Sequence, residues 1–326
     1  MLEFKPQPIN RCQRSRLRIA LGSLKWKLIE RWGLYYRRFA ERVRSRQRPA
    51  IEKLPTLSWS GNADVDVCML CGHKQLDMGI AASWSLLRFT PDWRLIVFSD
   101  GTLRQEDEKM WRSIVPSLQV WHRHEVGALV EQRVSDYPLL QELWSHNCYS
   151  SQLLDAHLVG SSSRLLLMDT DVLCLRYPAE LMERLRSDHP QIAWNGGRMN
   201  GYCAPKHNLD ACLGCPLPDY VNAGLLVTPR FASLHFSVME RILAPISAAM
   251  NDPGWMSHAL LAQTVYAAMV PLCFPSSSIF SRDYAVCNFF AKNPAVMRHY
   301  TSPPGIRARF FTEGIPELLR QGARIR

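Results

Sequence analysis

Between residues 64 and 175 the chain alternates apolar runs with stretches of helical rhythm. DVDVCML (64–70) and WRLIVFSDG (93–101) read as strands, and LDMGIAASWSLLRF (76–89) between them reads as a helix. A helical stretch at 103–113, a short strand at SLQVWH (117–122) and a helical region near 138–159 follow, before RLLLMDTD arrives as a third strong strand. Strand, helix, strand in succession predicts βαβ units in a parallel sheet, whose ligand loops lie at the carboxyl ends of the strands. There is no internal repeat and no low-complexity tract.

The first 50 residues follow a different pattern. RLRIALGSLKWKLIERWGLYYRRFAERVRSRQRP brings Leu17, Leu21, Leu24, Leu28, Trp32, Tyr35 and Phe39 to one face at spacings of three or four, with Arg and Lys between. That is a basic amphipathic helix. The leader (1–50) holds 14 Lys and Arg against three Glu, a net of +11, whereas the whole chain carries +10. The basicity therefore belongs to the leader and not to the body. No apolar run reaches the ~18 residues a membrane span needs, and Arg11, Arg14, Arg16 and Arg18 interrupt any secretory signal. The expectation is a cytoplasmic chain whose residues 11–48 lie on an anionic membrane surface, peripheral on the inner face. An equal alternative is a solvated helix packed on its own body or on a partner. Charge alone is weak evidence for nucleic acid, and none is expected. Residues 51–63, within the Pro, Ser and Gly-punctuated stretch SRQRPAIEKLPTLSWSGNAD, read as a linker to a body at 64–326.

Composition adds bounds. At 326 residues, 47% apolar and 10% aromatic, the chain supports a full core in one α/β domain with an appendage. Ten cysteines do not resemble a disulfide framework, because Cys68 and Cys174 sit in strand-like apolar runs. CAPKHNLDACLGC clusters Cys203, His207, Cys212 and Cys215, either as a structural zinc site or as ordinary loop cysteines. No GxGxxG follows the first strand and no GxxxxGK[ST] occurs, which disfavours a Rossmann dehydrogenase or a P-loop enzyme.

MDTDV remains. Ionised carboxylates inside an apolar run cost several kcal/mol unless a positive charge compensates them. In an extended segment residues two apart share a side, so Asp169 and Asp171 are expected to present both carboxylates to one ion. Hard oxygen ligands suit Mg²⁺ or Mn²⁺, with positions left open for a diphosphate. The pair read as mere loop caps is the bland alternative.

LLLMDTDVLCLRYPAEL resembles the metal-binding segment of GT-A-fold glycosyltransferases, where an apolar strand runs into Asp-x-Asp. Two further segments fall in that family's order: YVNAGLLVTPR (220–230) resembles its Asn-Ser/Ala-Gly strand, and MRHYTSPPGIRARFFTEGI (297–315) resembles the His-containing C-terminal segment of its family-eight, glycogenin-like members. The likeness spans roughly residues 64–318. It implies a GT-A-like, Rossmann-type α/β fold with a mixed, mainly parallel sheet flanked by helices. It also implies that Asp169, Asp171 and His299 hold Mn²⁺ or Mg²⁺, and that Asn222, with Ala223 and Gly224, approaches the donor sugar or acceptor. Asp100 and the loop from His73 to Asp77 then lie where the family binds the nucleoside, while Arg164 either reaches a phosphate or is an exposed cap. Outside the resemblance, His299 also reads as a surface histidine and Asn222 as a turn residue.

The sequence departs from the pattern at two places. Ala262 precedes Gln263 where many relatives place an acid, and the Lys-rich end of the family-eight motif is missing, with Arg307 and Arg309 as candidate stand-ins for phosphate contacts. The resulting expectation is a metal-dependent glycosyltransferase taking a sugar from a nucleotide diphosphate, UDP-sugars favoured, to an unread glycan, lipid or protein acceptor, with a cell-envelope acceptor suiting the basic leader. A relict, non-catalytic GT-A body is the alternative. A sugar-nucleotide pyrophosphorylase would want a Gly-rich basic signature that CGHKQLDMG lacks.

Overall fold

The computed structural model describes residues 35–36, 38–187, 191–197, 199–287, 294–301 and 304–322. Seven strands form the central sheet: β1 (Val65–Cys71), β2 (Trp93–Ser99), β3 (Leu118–Trp121), β4 (Arg164–Met168), β6 (Ala193–Gly196), β7 (Val221–Pro229) and β8 (Ser278–Ile279), in the order β3-β2-β1-β4-β7-β6-β8. β7 is antiparallel to β4 and β6, and every other pairing is parallel. A separate two-stranded sheet pairs β5 (Val172–Cys174) with β9 (Met297–His299).

The nearly continuous apolar runs of β1, β2 and β4, broken only at Asp66, Arg94, Ser99 and Arg164, have a simple cause: both faces of the sheet are covered. Val67, Met69, Leu95, Val97, Leu166 and Met168 enter one core, while Cys68, Ile96, Phe98, Leu165 and Leu167 alternate into the other. Each such Leu or Val stabilises the fold by about 1.5–3 kcal/mol. The first core is closed by α2 (Leu76–Leu87), buried along its whole length, with α3 (Gln105–Ile114) and α7 (Ala179–Arg186). The second is closed by α4 (Arg123–Val134), α5 (Pro138–His146), α6 (Ala156–Leu158), α8 (Lys206–Leu213), α9 (Ser233–Met250) and α10 (Leu261–Cys273). α11 (Pro304–Arg309), a π-helical turn (Phe310–Gly314) and α12 (Ile315–Gly322) pack on the first side.

Chain order places β2 on one side of β1 and β4 on the other, so the sheet's direction of progression reverses beside β1. The carboxyl ends of β1, β2 and β4 and the start of the reversed β7 share one edge. His73, Asp100, Asp169 and Asn222 all stand on that edge, each at or just beyond a strand end.

Where it is described, the leader follows the second of its two readings, a helix packed on its own body. Residues 38–51 form a helix, α1, that packs on the body: Ala40 and Ile51 are buried, Arg44 lies 5.0 Å from the Phe311 ring centroid, and Gln47 Nε2 donates to Phe311 O at 2.8 Å. The segment read as a linker is also fastened, since Leu54 is buried, Trp84 Nε1 donates to Pro55 O and Leu57 N to Ile114 O. Ile51, Leu54 and Leu57 supply apolar anchors that the Pro and Ser content disguised. Leu17, Leu21, Leu24, Leu28 and Trp32, on which the amphipathic reading chiefly rests, lie outside the described residues. Among the described residues no helix is long and apolar enough to cross a membrane.

Candidate metal and donor site

β4 ends at Met168 and the chain turns at once. Val172 N donates to Asp169 O at 3.2 Å, so Asp169, Thr170 and Asp171 occupy a tight turn before β5. This corrects the extended geometry expected from the sequence: the carboxylates converge through the turn, not through strand alternation. Asp169 N donates to Gly224 O at 2.8 Å, which ties the turn to β7.

His299 arrives from 128 residues away because β9 is antiparallel to β5, with His299 opposite Val172 and Tyr300 N donating to Asp171 O at 2.9 Å. Its Nε2 stands 3.1 Å from Asp171 Oδ1 and 3.7 Å from Asp169 Oδ2. The side chains of His299 and Asp171 are only 2% and 4% exposed, whereas Asp169 at 40% opens to solvent. One ligand atom from each of the three lies within 4.8 Å of the others, and no other such His, Cys, Asp or Glu cluster occurs among the described residues.

The donor set fits a divalent ion. Asp171 Oδ1 and His299 Nε2 are buried and form no well-aligned hydrogen bond, leaving them only ion-pair contacts, 3.1 Å to one another and 3.7 Å from His299 to Asp169. Buried polar atoms so thinly satisfied call for a further partner. Cis ligands of an octahedral ion with bonds of about 2.1 Å stand about 3 Å apart and trans ligands about 4 Å apart, which brackets the two His299 separations of 3.1 and 3.7 Å.

β7 shapes the opposite wall. A register shift at Trp194/Asn195 leaves Ala223 to Leu225 without regular partners on β6. Side-chain amides replace the missing ladder: Gln263 Oε1 accepts from Ala223 N, Asn222 Oδ1 from Gly224 N and Asn195 Oδ1 from Leu225 N, at 2.9, 3.1 and 3.3 Å. Asn195 Nδ2 also lies 3.2 Å from His299 Nδ1. Gly224 is required by close approach, because a Cβ there would stand 2.0 Å from His299 Cε1.

Charge is tightly balanced. Burial pushes the Asp171 carboxyl up, but the His299 imidazole and the Arg307 guanidinium outweigh it and hold the group at about 2. Arg307 Nε and an Nη donate to Asp171 Oδ2 at 3.1 and 2.9 Å. Burial and the neighbouring Asp171 charge raise Asp169, whose Oδ1 accepts from Gln152 Nε2 at 2.9 Å. Burial disfavours the imidazolium of His299, yet the two aspartates prevail and its pKa is raised.

Other candidate residues are placed as follows. Asp100 is exposed, accepting from Thr102 N and Oγ1, and packs against Gly72. His73 Nδ1 lies 2.7 Å from Asp107 Oδ2. Asp77, in the first turn of α2, is engaged by Arg44 of α1 through two hydrogen bonds, so its carboxylate already has a cation. Arg164 needs correction: it begins β4 at the far edge of the sheet, opposite Pro229, and donates to Ser187 O, which removes it from the Asp169 end. Arg309 pairs with Glu313 on its own helix, leaving Arg307 as the guanidinium on Asp171. Cys203, His207, Cys212 and Cys215 do not draw together into a ligand cluster. Asn195 and Gln152 escaped the sequence reading. Asn195 lies on a four-residue strand, Gln152 within the helical region read near 138–159, and no local spacing marks either.

No family model matches the chain, and no curated protein matches it. Solved structures do. Mouse xyloside xylosyltransferase 1 in its apo form is 12% identical with a TM-score of 0.47, over 73% of this chain and 97% of that one. The galactosyltransferase LgtC with donor and acceptor sugar analogues is 12% identical with a TM-score of 0.45, over 77% and 95%. Core-mannan synthase A of Aspergillus fumigatus in a Mn/GDP form is 13% identical with a TM-score of 0.43, over 79% and 87%. Each of these likenesses combines 12–13% identity with a TM-score below 0.5. None of the likenesses establishes the family-eight grouping.

Proposed function

We propose that this chain is a metal-dependent glycosyltransferase that moves a sugar from a nucleotide diphosphate, a UDP-sugar first, to an acceptor hydroxyl. The observation that carries the proposal is the convergence of Asp169 with the buried Asp171 Oδ1 and His299 Nε2, which have only ion-pair contacts, at the carboxyl edge of the sheet. Asp169, Asp171 and His299 would hold Mn²⁺ or Mg²⁺, which supplies Lewis-acid neutralisation of the departing diphosphate. Partly exposed Asp169 faces the solvent side, from which a diphosphate would approach.

Arg307, half exposed and on Asp171, is placed to exchange that carboxylate for a phosphate oxygen, a bidentate contact that guanidinium geometry favours. Gly224 and the irregular β7 backbone allow close approach of the sugar, and Asn222 stands beside them. Asp100 and His73, on the same edge, are proposed to line the nucleoside side. The chain's contribution is positioning and electrostatic stabilisation. The proposal includes a cytoplasmic site of action, with the basic leader on the inner face of a membrane and a cell-envelope glycan or lipid as acceptor. The exposed Tyr35 and Phe39 among the arginines of α1 and its N-terminal extension support it.

One observation favours the second reading, a relict body: Ala262 precedes Gln263 where the resemblance implies an acid, so any part that acid plays at the acceptor site or in catalysis is missing or moved here. Release of UDP from a panel of UDP-sugars with and without Mn²⁺ separates the two. Metal-dependent release supports the transferase. Metal-dependent binding with no release from any donor supports the relict.

A further inference from the structure

Asp169 is held from behind by a buried chain of hydrogen bonds that starts on the far side of the core. The π-helical turn Ser151–Asp155 carries Gln152, whose Nε2 reaches Asp169 Oδ1 at 2.9 Å. Gln152 is nearly buried, and its own carbonyl is taken by Tyr266 Oη of α10 at 2.8 Å. Tyr266 is in turn 2.8 Å from His157 Nε2, and His157 Nδ1 accepts from Phe231 N at 3.0 Å.

The direction of this chain is fixed at both ends. A main-chain N–H can only donate, so His157 Nδ1 is the acceptor and the ring proton sits on Nε2. That proton goes to Tyr266 Oη, whose own proton is left for the Gln152 carbonyl. Burial, with Arg230 and His235 nearby, holds His157 well below its ordinary pKa and therefore neutral. The ring lies flat on Phe231, with centroids 3.8 Å apart and planes 3° apart. Arg230 caps the following carbonyls of Ala156 and Val159. Every member is paired, so the π turn cannot rotate without orphaning a buried group. π turns recur at functional positions because the wider turn frees and redirects a residue.

We infer that Gln152 is a positioning residue for the metal site, and that Tyr266 and His157 act through it by fixing the π turn. This rests on the reading of Asp169 as a metal ligand. Asp169 is the most exposed of the three ligands, so it is the one that needs an internal hydrogen bond to hold its rotamer. Partners of this kind are worth about 10–100-fold in metal affinity.

The test is a titration of free Mn²⁺ by electron paramagnetic resonance on the full chain, with thermal unfolding as the folding control. Gln152→Ala and the near-isosteric Gln152→Met should weaken Mn²⁺ binding about 10–100-fold. Tyr266→Phe should weaken it in the same direction but less. Leu153→Ala, in the same turn but directed into the core, should lower the melting temperature and leave the affinity of the folded protein unchanged. Gln152→Met and Tyr266→Phe proteins that fold and bind Mn²⁺ like the wild type overturn the inference alone. A wild type that binds no Mn²⁺ overturns the underlying metal site, and the inference with it.

Discussion

The imidazole of His299 faces the carboxylate of Asp171 across 3.1 Å, in a part of the molecule where both side chains are almost fully buried. The contact is produced by the antiparallel pairing of β5 with β9, the strand that immediately follows the Asp-Thr-Asp turn with one near the end of the chain. Two groups so placed either share a proton or share an ion.

Without metal, His299 is stabilised as the imidazolium by the aspartates, so its folded pKa lies above the ordinary 6.5. This contribution to stability is complete below pH 6.5 and is lost as pH rises through the folded value. Mn²⁺ needs Nε2 free of its proton, so ion affinity runs the other way. It should rise about tenfold per pH unit until the folded pKa is passed, then level off, with one proton released per ion. Asp171, held at about 2, stays ionised throughout, and its own contribution is lost only as pH falls from the ordinary 3.8 through that value. Calorimetry in buffers of different ionisation enthalpy reads the released proton. A pH-independent affinity between 5 and 8 would contradict the assignment of His299.

Gly224→Ala tests the close approach of β7 to the histidine. The added methyl would fall 2.0 Å from His299 Cε1, on a buried ring held in place by β9, so it has to displace the ligand. Overpacking of this kind costs about 1–3 kcal/mol. The expected result is a lower melting temperature together with at least a tenfold loss of Mn²⁺ affinity. Unchanged affinity would mean the ring is not the ligand that its geometry makes it.

Arg307 competes with the ion for Asp171 and assists the diphosphate once it is bound. Arg307→Gln should therefore tighten Mn²⁺ alone, by no more than about three- to tenfold because the guanidinium is half exposed and screened. The same change should weaken the metal–nucleotide pair. Opposite signs for the two ligands are the signature, and a uniform loss would assign Arg307 a purely structural part.

The sequence made the core strands and α2 readable because long apolar runs have few homes other than a sheet covered on both faces. It also marked Asp169 and Asp171, since carboxylates in such a run demand an explanation. Their geometry was less legible: a two-residue spacing suits both strand alternation and the turn that forms. α4 went unread although Val126, Val130 and Val134 repeat at four, because flanking charges gave it a polar cast. The anchoring of residues 51–57 was hidden by the Pro and Ser around them. Asn195 and Gln152 were beyond local reading altogether, because their partners, His299 and Asp169, are chosen by a strand bulge and a π turn that no spacing announces.

Asp169, Asp171 and His299 are proposed to act together as a metal-dependent nucleotide diphosphate site. The direct measurement is thermal unfolding of the wild type and Asp171→Asn with UDP, GDP, ADP, CMP and dTDP, each with and without Mn²⁺. A ligand at 100 times its dissociation constant stabilises by about 2.7 kcal/mol, several degrees in melting temperature. One diphosphate, UDP first, should produce this shift only with Mn²⁺ and only in the wild type. A shift that ignores the metal or survives in Asp171→Asn, or no shift with any nucleotide at millimolar concentration, would contradict it.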